Sequence, residues 1–376
     1  MPDHWEYKPP AGIRLADVRT FDELTDHAND WNELFRKADR LSPLLSYPWM
    51  SAFFENLVNP PEKWLCLFAY ENDRVIGILP LVAGYSYRFM THSLQLFKLP
   101  NHFAHTSGTD CLTLPGREDI FGVFLDYLNH IPAVSPYLSL KHIPEHYASM
   151  KYFAGKKHRM SVVQKPAGFE AFIPVAGKGE EYFSGLSAKF RQNLKRAFRE
   201  LEKVPESRFV FCENTRSAQE NTGRFLDVEN RNWKGQKSSS IKDYPSSAVT
   251  FEAAAEGLSR QDLMAFSFLE SGDKTIAAHY AMRNTRTLYI LKMGYDAEYI
   301  ACSPGNLLML KVIQAAFDSG EFDEVNLVSG PPELSKWNVQ RRPLYHLIVF
   351  PKIPVFSNLL TLIIQSGKVH KFDTER

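Results

Sequence analysis

Two pairs of apolar runs, each hinged on a polar turn, are the clearest pattern along the chain. Residues 64–82 read WLCLFAYENDRVIGILPLV, a strand-like run, a turn at Glu71-Asn72-Asp73-Arg74 and a second run. Residues 263–283 read LMAFSFLESGDKTIAAHYAMR and repeat the arrangement around Ser271-Gly272-Asp273-Lys274. At a constant offset of 200 residues Phe68 meets Phe268, Asp73 meets Asp273 and Ile76 meets Ile276. Each hairpin follows a region with Trp, Phe and Leu at helical spacing. The first covers residues 31–57 and breaks near Pro43; the second covers residues 219–258 and breaks at a loop over residues 235–245. The echo predicts two domains of one type. Gly and Pro punctuate residues 155–180, which read as strand-poor and hold the expected boundary. The expected domains are residues 1–165, without catalytic function, and residues 166–376, with the donor site.

The second half carries three further patterns. Residues 187–203, SAKFRQNLKRAFRELEK, place Phe190, Leu194, Ala197 or Phe198 and Leu201 on one helical stripe. Arg191, Lys195 and Arg199 fall at four-residue spacing on another face. This is either a solvated amphipathic helix or an anion site. Residues 287–295, TLYILKMGY, read as a central strand, and the segment after Pro304 is apolar almost all round, a buried helix. Between them stands Ser303-Pro304-Gly305-Asn306. Pro suits a first helical turn, where its missing N–H has no helical use. The free N–H groups of Gly305, Asn306 and Leu307 would face an anion at the positive end of the helix dipole; the plainer alternative is a helix capped by Ser303. Residues 322–328 read as the next strand, which completes a βαβ crossover. The fold class expected is α/β with mixed (α+β) sheets.

Composition narrows the function classes. The 376 residues are 44% hydrophobic and 23% charged, a globular balance. A formal net charge of +1 supplies no global field for nucleic acid or anionic membrane, so any basic site is local. Cys66, Cys111, Cys212 and Cys302 are far apart and form no CxxC pair, which argues against a zinc ribbon or a disulfide framework; no metal is expected. The first ten residues lack a basic stretch followed by an apolar run, and residues 353–364 are too short and too interrupted to span a bilayer. A cytoplasmic location, or one peripheral to the inner membrane, is the expectation.

Four stretches together carry a family resemblance. They are residues 186–202 (LSAKFRQNLKRAFRELE), 229–235 (ENRNWKG), 294–308 (GYDAEYIACSPGNLL) and the pair Lys336-Trp337, with Ser46–Trp49 (SYPW) as an opening motif. In order and spacing they resemble the bacterial GNAT-type acyltransferases of the CelD/BioF2-like group, relatives of the Fem peptidoglycan-bridge transferases. The resemblance spans roughly residues 30–350. It implies two tandem GNAT-like acyl-CoA N-acyltransferase domains, with acetyl-CoA or another acyl-CoA as co-substrate and an amine or hydroxyl acceptor. It also implies that the SPGN turn is the pyrophosphate loop. Close relatives often carry Tyr before the Lys; here Ser335 stands in that place.

Direct acyl transfer needs a base, donors for the oxyanion and an acid for the thiolate. His279, mid-strand in IAAHYAMR, is the candidate base, because an unperturbed imidazole titrates near neutrality. It reads equally as a hydrogen-bonded core histidine. Tyr289 and Tyr295 are the other catalytic candidates, and both also fit as strand aromatics. Lys292, Ser303, Gly305, Asn306 and Leu307 are assigned to the donor. Arg191, Lys195, Glu229, Trp233, Lys336 and Trp337 are assigned to the substrate. Three function classes stand: an N- or O-acyltransferase acting on a small-molecule or sugar-linked acceptor, for which polysaccharide biosynthesis is the analogy; a Fem-like transferase using aminoacyl-tRNA; and a non-catalytic binding protein on a GNAT scaffold.

Overall fold

The computed structural model describes residues 7–38, 41–89, 92–101, 108–131, 135–155, 158–212, 216–232, 239–352 and 361. In chain order the elements are β1 (Ile13–Val18), α1 (Phe21–Asp26), α2 (Ala28–Lys37), α3 (Tyr47–Leu57), β2 (Lys63–Glu71), β3 (Arg74–Phe89), β4 (His92–Lys98), β5 (Leu112–Thr113), α4 (Asp119–His130), β6 (Ser135–Pro144), α5 (Ala148–Gly155) and β7 (Met160–Pro174). There follow α6 (Gly179–Ser184), α7 (Ala188–Leu201), β8 (Ser207–Val210), α8 (Ala218–Asn230), α9 (Pro245–Arg260), β9 (Ser267–Ser271), β10 (Lys274–Asn284), β11 (Thr287–Tyr295), α10 (Pro304–Ser319), β12 (Glu324–Asn326) and β13 (Gln340–Pro351). Among the described residues no helix is long and apolar enough to cross a membrane.

The chain divides into two compact units. The first contains Met1–Ala38, Val58–Gly168 and Pro343–Arg376; the second contains Asp39–Leu57 and Phe169–Arg342. The first has strand order β1-β2-β3-β4-β6-β13, with β5 against β3; the second has β8-β9-β10-β11-β12-β7. In each, one neighbouring pair is parallel, β4 with β6 and β11 with β12. The described pairs flanking it are antiparallel. Each unit is thus the same mixed sheet, closed by a strand that comes from elsewhere in the sequence.

Local chemistry explains the elements. The two hairpins expected from the apolar runs are formed, β2 with β3 and β9 with β10. In the first turn Asn72 and Asp73 both take positive φ, 50° and 59°, the mirror-image geometry whose twist matches paired strands; in the second, Gly272 takes φ 54°. Ser187 Oγ accepts from Phe190 N–H at 3.3 Å and starts α7, and Ser217 Oγ accepts from Glu220 N–H at 3.1 Å and starts α8. Gly320, at φ 64°, ends α10.

Three expectations change. The run over residues 155–180 holds the 15-residue strand β7, with Gly168 at φ 97° inside it. Its apolar positions are too irregular to announce a strand, because its partners set its pairing. The strand expected over residues 322–328 is ordered only as Glu324–Asn326. The helix-like region over residues 31–57 is indeed two helices, but the later one, α3, packs in the second unit. There Trp49 meets Phe251 of α9 edge-on at 5.6 Å.

Candidate functional site

The units differ at their parallel pair. In the first, β4 and β6 stay paired from Leu94↔Ser135 to Lys98↔Ser139, the last residue of β4. In the second, β11 and β12 pair only at Thr287↔Glu324, Leu288↔Val325 and Tyr289↔Asn326. β11 continues to Tyr295, so residues 290–295 run on with no strand on that side among the described residues. The cause lies in the chain after β12. Leu327 N–H turns to Ala171 O at 2.8 Å, and Val328 enters the left-handed region at φ 62°. That conformation costs a β-branched residue about 1–2 kcal/mol. Asn326 helps to hold it by accepting Val328 N–H on Oδ1 at 2.7 Å. The result is a backbone edge over residues 290–295 beside which no strand lies among the described residues.

A bulge shapes the same edge. Tyr280 of β10 pairs with Lys292 but Ala281 pairs with Ile290, so Leu291 is left out of the ladder. Bulges re-aim backbone and side chains beside sites. Leu288 and Ile290 belong to the core beneath α10, and Met293 and Tyr295 pack against it. Gly294 faces the other way: an ideal Cβ there would lie 2.7 Å from Glu229 Cα, so α8 presses its backbone onto β11 at this point.

β11 leads into a turn pinned on three sides. Asp296 N–H donates to Ile276 O at 2.8 Å, and Asp296 Oδ1 accepts from Glu298 N–H at 3.0 Å. Its buried carboxylate also meets Arg231 Nε at 2.9 Å and Lys274 Nζ at 3.3 Å. Ser303 then takes φ 46° and ψ 56°, and its side chain makes no cap bond, contrary to the capping alternative. Its carbonyl accepts from both Asn306 N–H (3.0 Å) and Leu307 N–H (3.2 Å). Two of the three amides expected to face an anion are therefore engaged, and Gly305 is the position whose amide Ser303 does not take. The Leu307 side chain is buried in the core. An ideal Cβ on Gly305 would touch only the Tyr295 ring, at 3.4 Å. Tyr295, Ser303, Gly305 and Asn306 thus meet at one corner, at the mouth of the slot and the positive end of a 16-residue helix.

The other expected residues separate. Tyr289 stands where the ladder ends; burial, then the nearby Glu170 and Glu324 carboxylates, raise its phenol far above the ordinary range. Lys292 is half-buried on the stretch of β11 beyond the β12 pairing. Glu229 is buried, and its Oε2 accepts Ile241 N–H at 3.0 Å. Trp233 lies outside the described residues. Arg191 is spent on structure, its guanidinium donating to Ser184 O and Leu186 O, while Lys195 is exposed. Trp337 is a core indole, edge-on to Phe190 at 4.9 Å, and Lys336 Nζ sits 5.6 Å from the same ring, where loss of solvent lowers its pKa. Ser335 Oγ donates to Pro332 O at 2.7 Å.

His279 has a different chemistry from the one expected. It lies between Ser267 and Met293 in the sheet, on the face of Ala277 and Ala281 beneath α10. It is 0% exposed, and among the described residues neither ring nitrogen has a hydrogen-bond partner. Burial lowers its pKa to about 3, so the ring is neutral and too weak a base for proton abstraction near pH 7. Sequence reasoning also missed Asp296, Asn326, Val328 and the Leu291 bulge. Only the Asp after Gly-Tyr, inside a motif already noticed, carried a signal.

Comparison with known proteins bears on the fold and on the general class of chemistry. The acetyltransferase (GNAT) domain family matches residues 188–333, which span α7, the slot, the turn and α10. No curated protein matches the chain. Among solved structures, FemX superposes with a TM-score of 0.58 at 9% identity, over 92% of this chain and 100% of its own. A conserved protein of unknown function from Bacteroides thetaiotaomicron VPI-5482 superposes with a TM-score of 0.53 at 11% identity, over 90% of this chain and 99% of its own. These likenesses concern the fold. The fold class is mixed α/β, and the family match, which lies within the second unit, supports acyl transfer in general.

Proposed function

We propose that the second unit transfers an acetyl or longer acyl group from a CoA-type thioester to an amine or hydroxyl, on a small-molecule or sugar-linked acceptor of polysaccharide or cell-envelope metabolism. One observation carries this reading: the parallel pair is zipped in the first unit and open in the second, and the opening leads to the start of α10.

The residues present fit such a donor. Its amide-bearing arm would add to the edge at residues 290–295 as a strand adds to a sheet. Its diphosphate would meet the Gly305 amide and the helix dipole, where the absent Cβ leaves room. A bound CoA thioester supplies an activated acyl carbon. The acceptor nitrogen or oxygen bonds to that carbon, the C–S bond breaks, the acceptor loses a proton and the thiolate gains one. The Leu291 amide, freed by the bulge, suits the developing oxyanion. The Tyr289 phenol, which burial and nearby carboxylates make a far weaker acid than an ordinary phenol, is not the donor to the thiolate; the proton lost by the acceptor reaches it through solvent. Glu229 and Lys292 border the acceptor side. His279, sealed and neutral, stands outside the chemistry.

Calorimetry on the full chain with acetyl-CoA and a long-chain acyl-CoA tests the reading. Wild type is expected to bind one of them, and Gly305→Ala, whose methyl the fold accommodates, to bind it about tenfold more weakly at unchanged melting temperature. Absence of binding by both donors overturns it.

A further inference from the structure

The cations of the second unit are mostly spoken for. Arg231, Lys242, Lys274, Arg283, Arg286 and Arg342 each hold a carboxylate. The exposed ones on α7 are not. Its apolar stripe of Phe190, Leu194, Ala197 and Leu201 is buried in the core, while Lys195, Arg196 and Arg199 are exposed. None of these three has an ion-pair partner among the described residues. Lys311, whose Nζ lies 5.4 Å from the Phe198 ring, extends the positive field across to α10.

This face adjoins the donor turn. α7 packs against both α10 and the turn Ala297–Cys302; burial, and after it the Glu200 carboxylate, raises the Cys302 thiol in that turn. The turn also shows solvent a large apolar side chain, Ile300, 59% exposed. Ile300 O accepts Ser303 N–H at 3.0 Å, so this apolar spot is bonded directly to the anion corner.

Three features identify the partner. Lys195, Arg196 and Arg199 lie within about 6 Å along the axis of α7, a compact cationic cluster at its C-terminal half. The turn packed against α7 exposes an aliphatic residue, Ile300, whereas a single-stranded nucleic-acid surface would offer exposed aromatics for bases. On α7 the two rings, Phe190 and Phe198, are buried and half-buried instead. Cations on a helix packed against a turn that exposes an aliphatic residue match an acidic protein helix with an apolar residue on its face.

We propose that α7 and Ile300 form the docking surface for an acidic carrier protein, which presents its acyl group as a phosphopantetheine thioester to the slot. The inference rests on the donor-slot reading above. Transfer then forms the bond from acceptor nitrogen or oxygen to the acyl carbon, breaks C–S and returns the free thiol to the carrier, with the proton lost by the acceptor.

The test uses the full chain and a bacterial acyl carrier protein loaded with an acyl phosphopantetheine, beside acyl-CoA and bulk tRNA. Binding is measured for wild type, for Lys195→Glu/Arg196→Glu/Arg199→Glu and for Ile300→Ser. All substituted positions are exposed, so folding is retained, as matching circular dichroism melts should show. The expected result is carrier binding weakened at least tenfold by the triple change and several-fold by Ile300→Ser, with acyl-CoA binding unaltered. Equal carrier binding by wild type and the triple variant overturns the proposal. So does tRNA binding that depends on the three cations while the carrier does not bind. Acyl-CoA binding without carrier binding defeats the docking surface alone; binding of neither thioester defeats the slot reading with it.

Discussion

Replacing His279 by Leu removes two buried nitrogens that have no hydrogen-bond partner among the described residues and keeps most of the side-chain volume. An unsatisfied buried polar group costs about 1–3 kcal/mol, so at pH 7 the variant should be as stable as wild type or about 1 kcal/mol more stable. The pH dependence is sharper. The folded imidazole titrates at about 3 against an ordinary value of 6.5, so on acidification the unfolded chain takes the proton first. The neutral ring's contribution is complete above pH 6.5 and is lost as pH falls from there towards 3. Over the whole window the loss approaches about 5 kcal/mol, and between pH 7 and pH 5 it is about 2 kcal/mol. With a urea slope of about 2 kcal/mol per molar, wild type should lose about 1 M of midpoint relative to His279→Leu over those two pH units. Asp110, whose carboxyl burial raises to about 6, acts in the opposite sense but cancels in the comparison. Urea unfolding of both proteins at pH 7 and pH 5 reads the effect. Parallel losses in the two proteins, or a variant several kcal/mol less stable at pH 7, would refute the sealed, partnerless ring.

Three further outcomes follow from packing and charge. Gly294→Ala drives a methyl to 2.7 Å from Glu229 Cα, so α8 must shift from β11; a loss of about 1–3 kcal/mol in thermal or urea unfolding is expected, and an unchanged melting temperature would contradict the close approach. Glu270→Ala strips the buried carboxylate that Arg208, Arg216 and Arg224 share and should cost about 3 kcal/mol in urea unfolding; a neutral result would mean the arginines pair elsewhere. Trp49→Ala should cost about 3–5 kcal/mol, with faster hydrogen exchange in α9 and none in β2 to β4; faster exchange confined to the first unit would misassign α3.

Part of the site is legible in the sequence. The SPGN turn, the strand before it and the apolar helix after it announce themselves through composition and period, and they do meet at one corner. The turn's internal bonding is not legible: Ser303 takes a left-handed conformation with no cap bond, and its carbonyl takes the Asn306 amide, which a helix start would leave free, as well as that of Leu307. Trp337 and Arg191 look like ligand contacts because indoles and guanidinia often are. Here one fills core and the other ties a turn, a choice made for the indole by a neighbour distant in sequence and for the guanidinium by the path of the chain just ahead of α7.

The sequence by itself determined the local units: two hairpins with their turn residues, the amphipathic face of α7, and the breaks between helices. Each depends on contacts within about a dozen residues, and apolar periodicity records those directly. Only the tertiary structure decided which strand edges are satisfied by which others. It sent β13 back to the first unit and α3 to the second, zipped β4 to β6, left β11 open beyond Tyr289, and sealed His279 under α10. A strand carries the same hydrogen-bonding groups on both edges whatever its side chains, so its sequence says which face is buried but not which edge is paired.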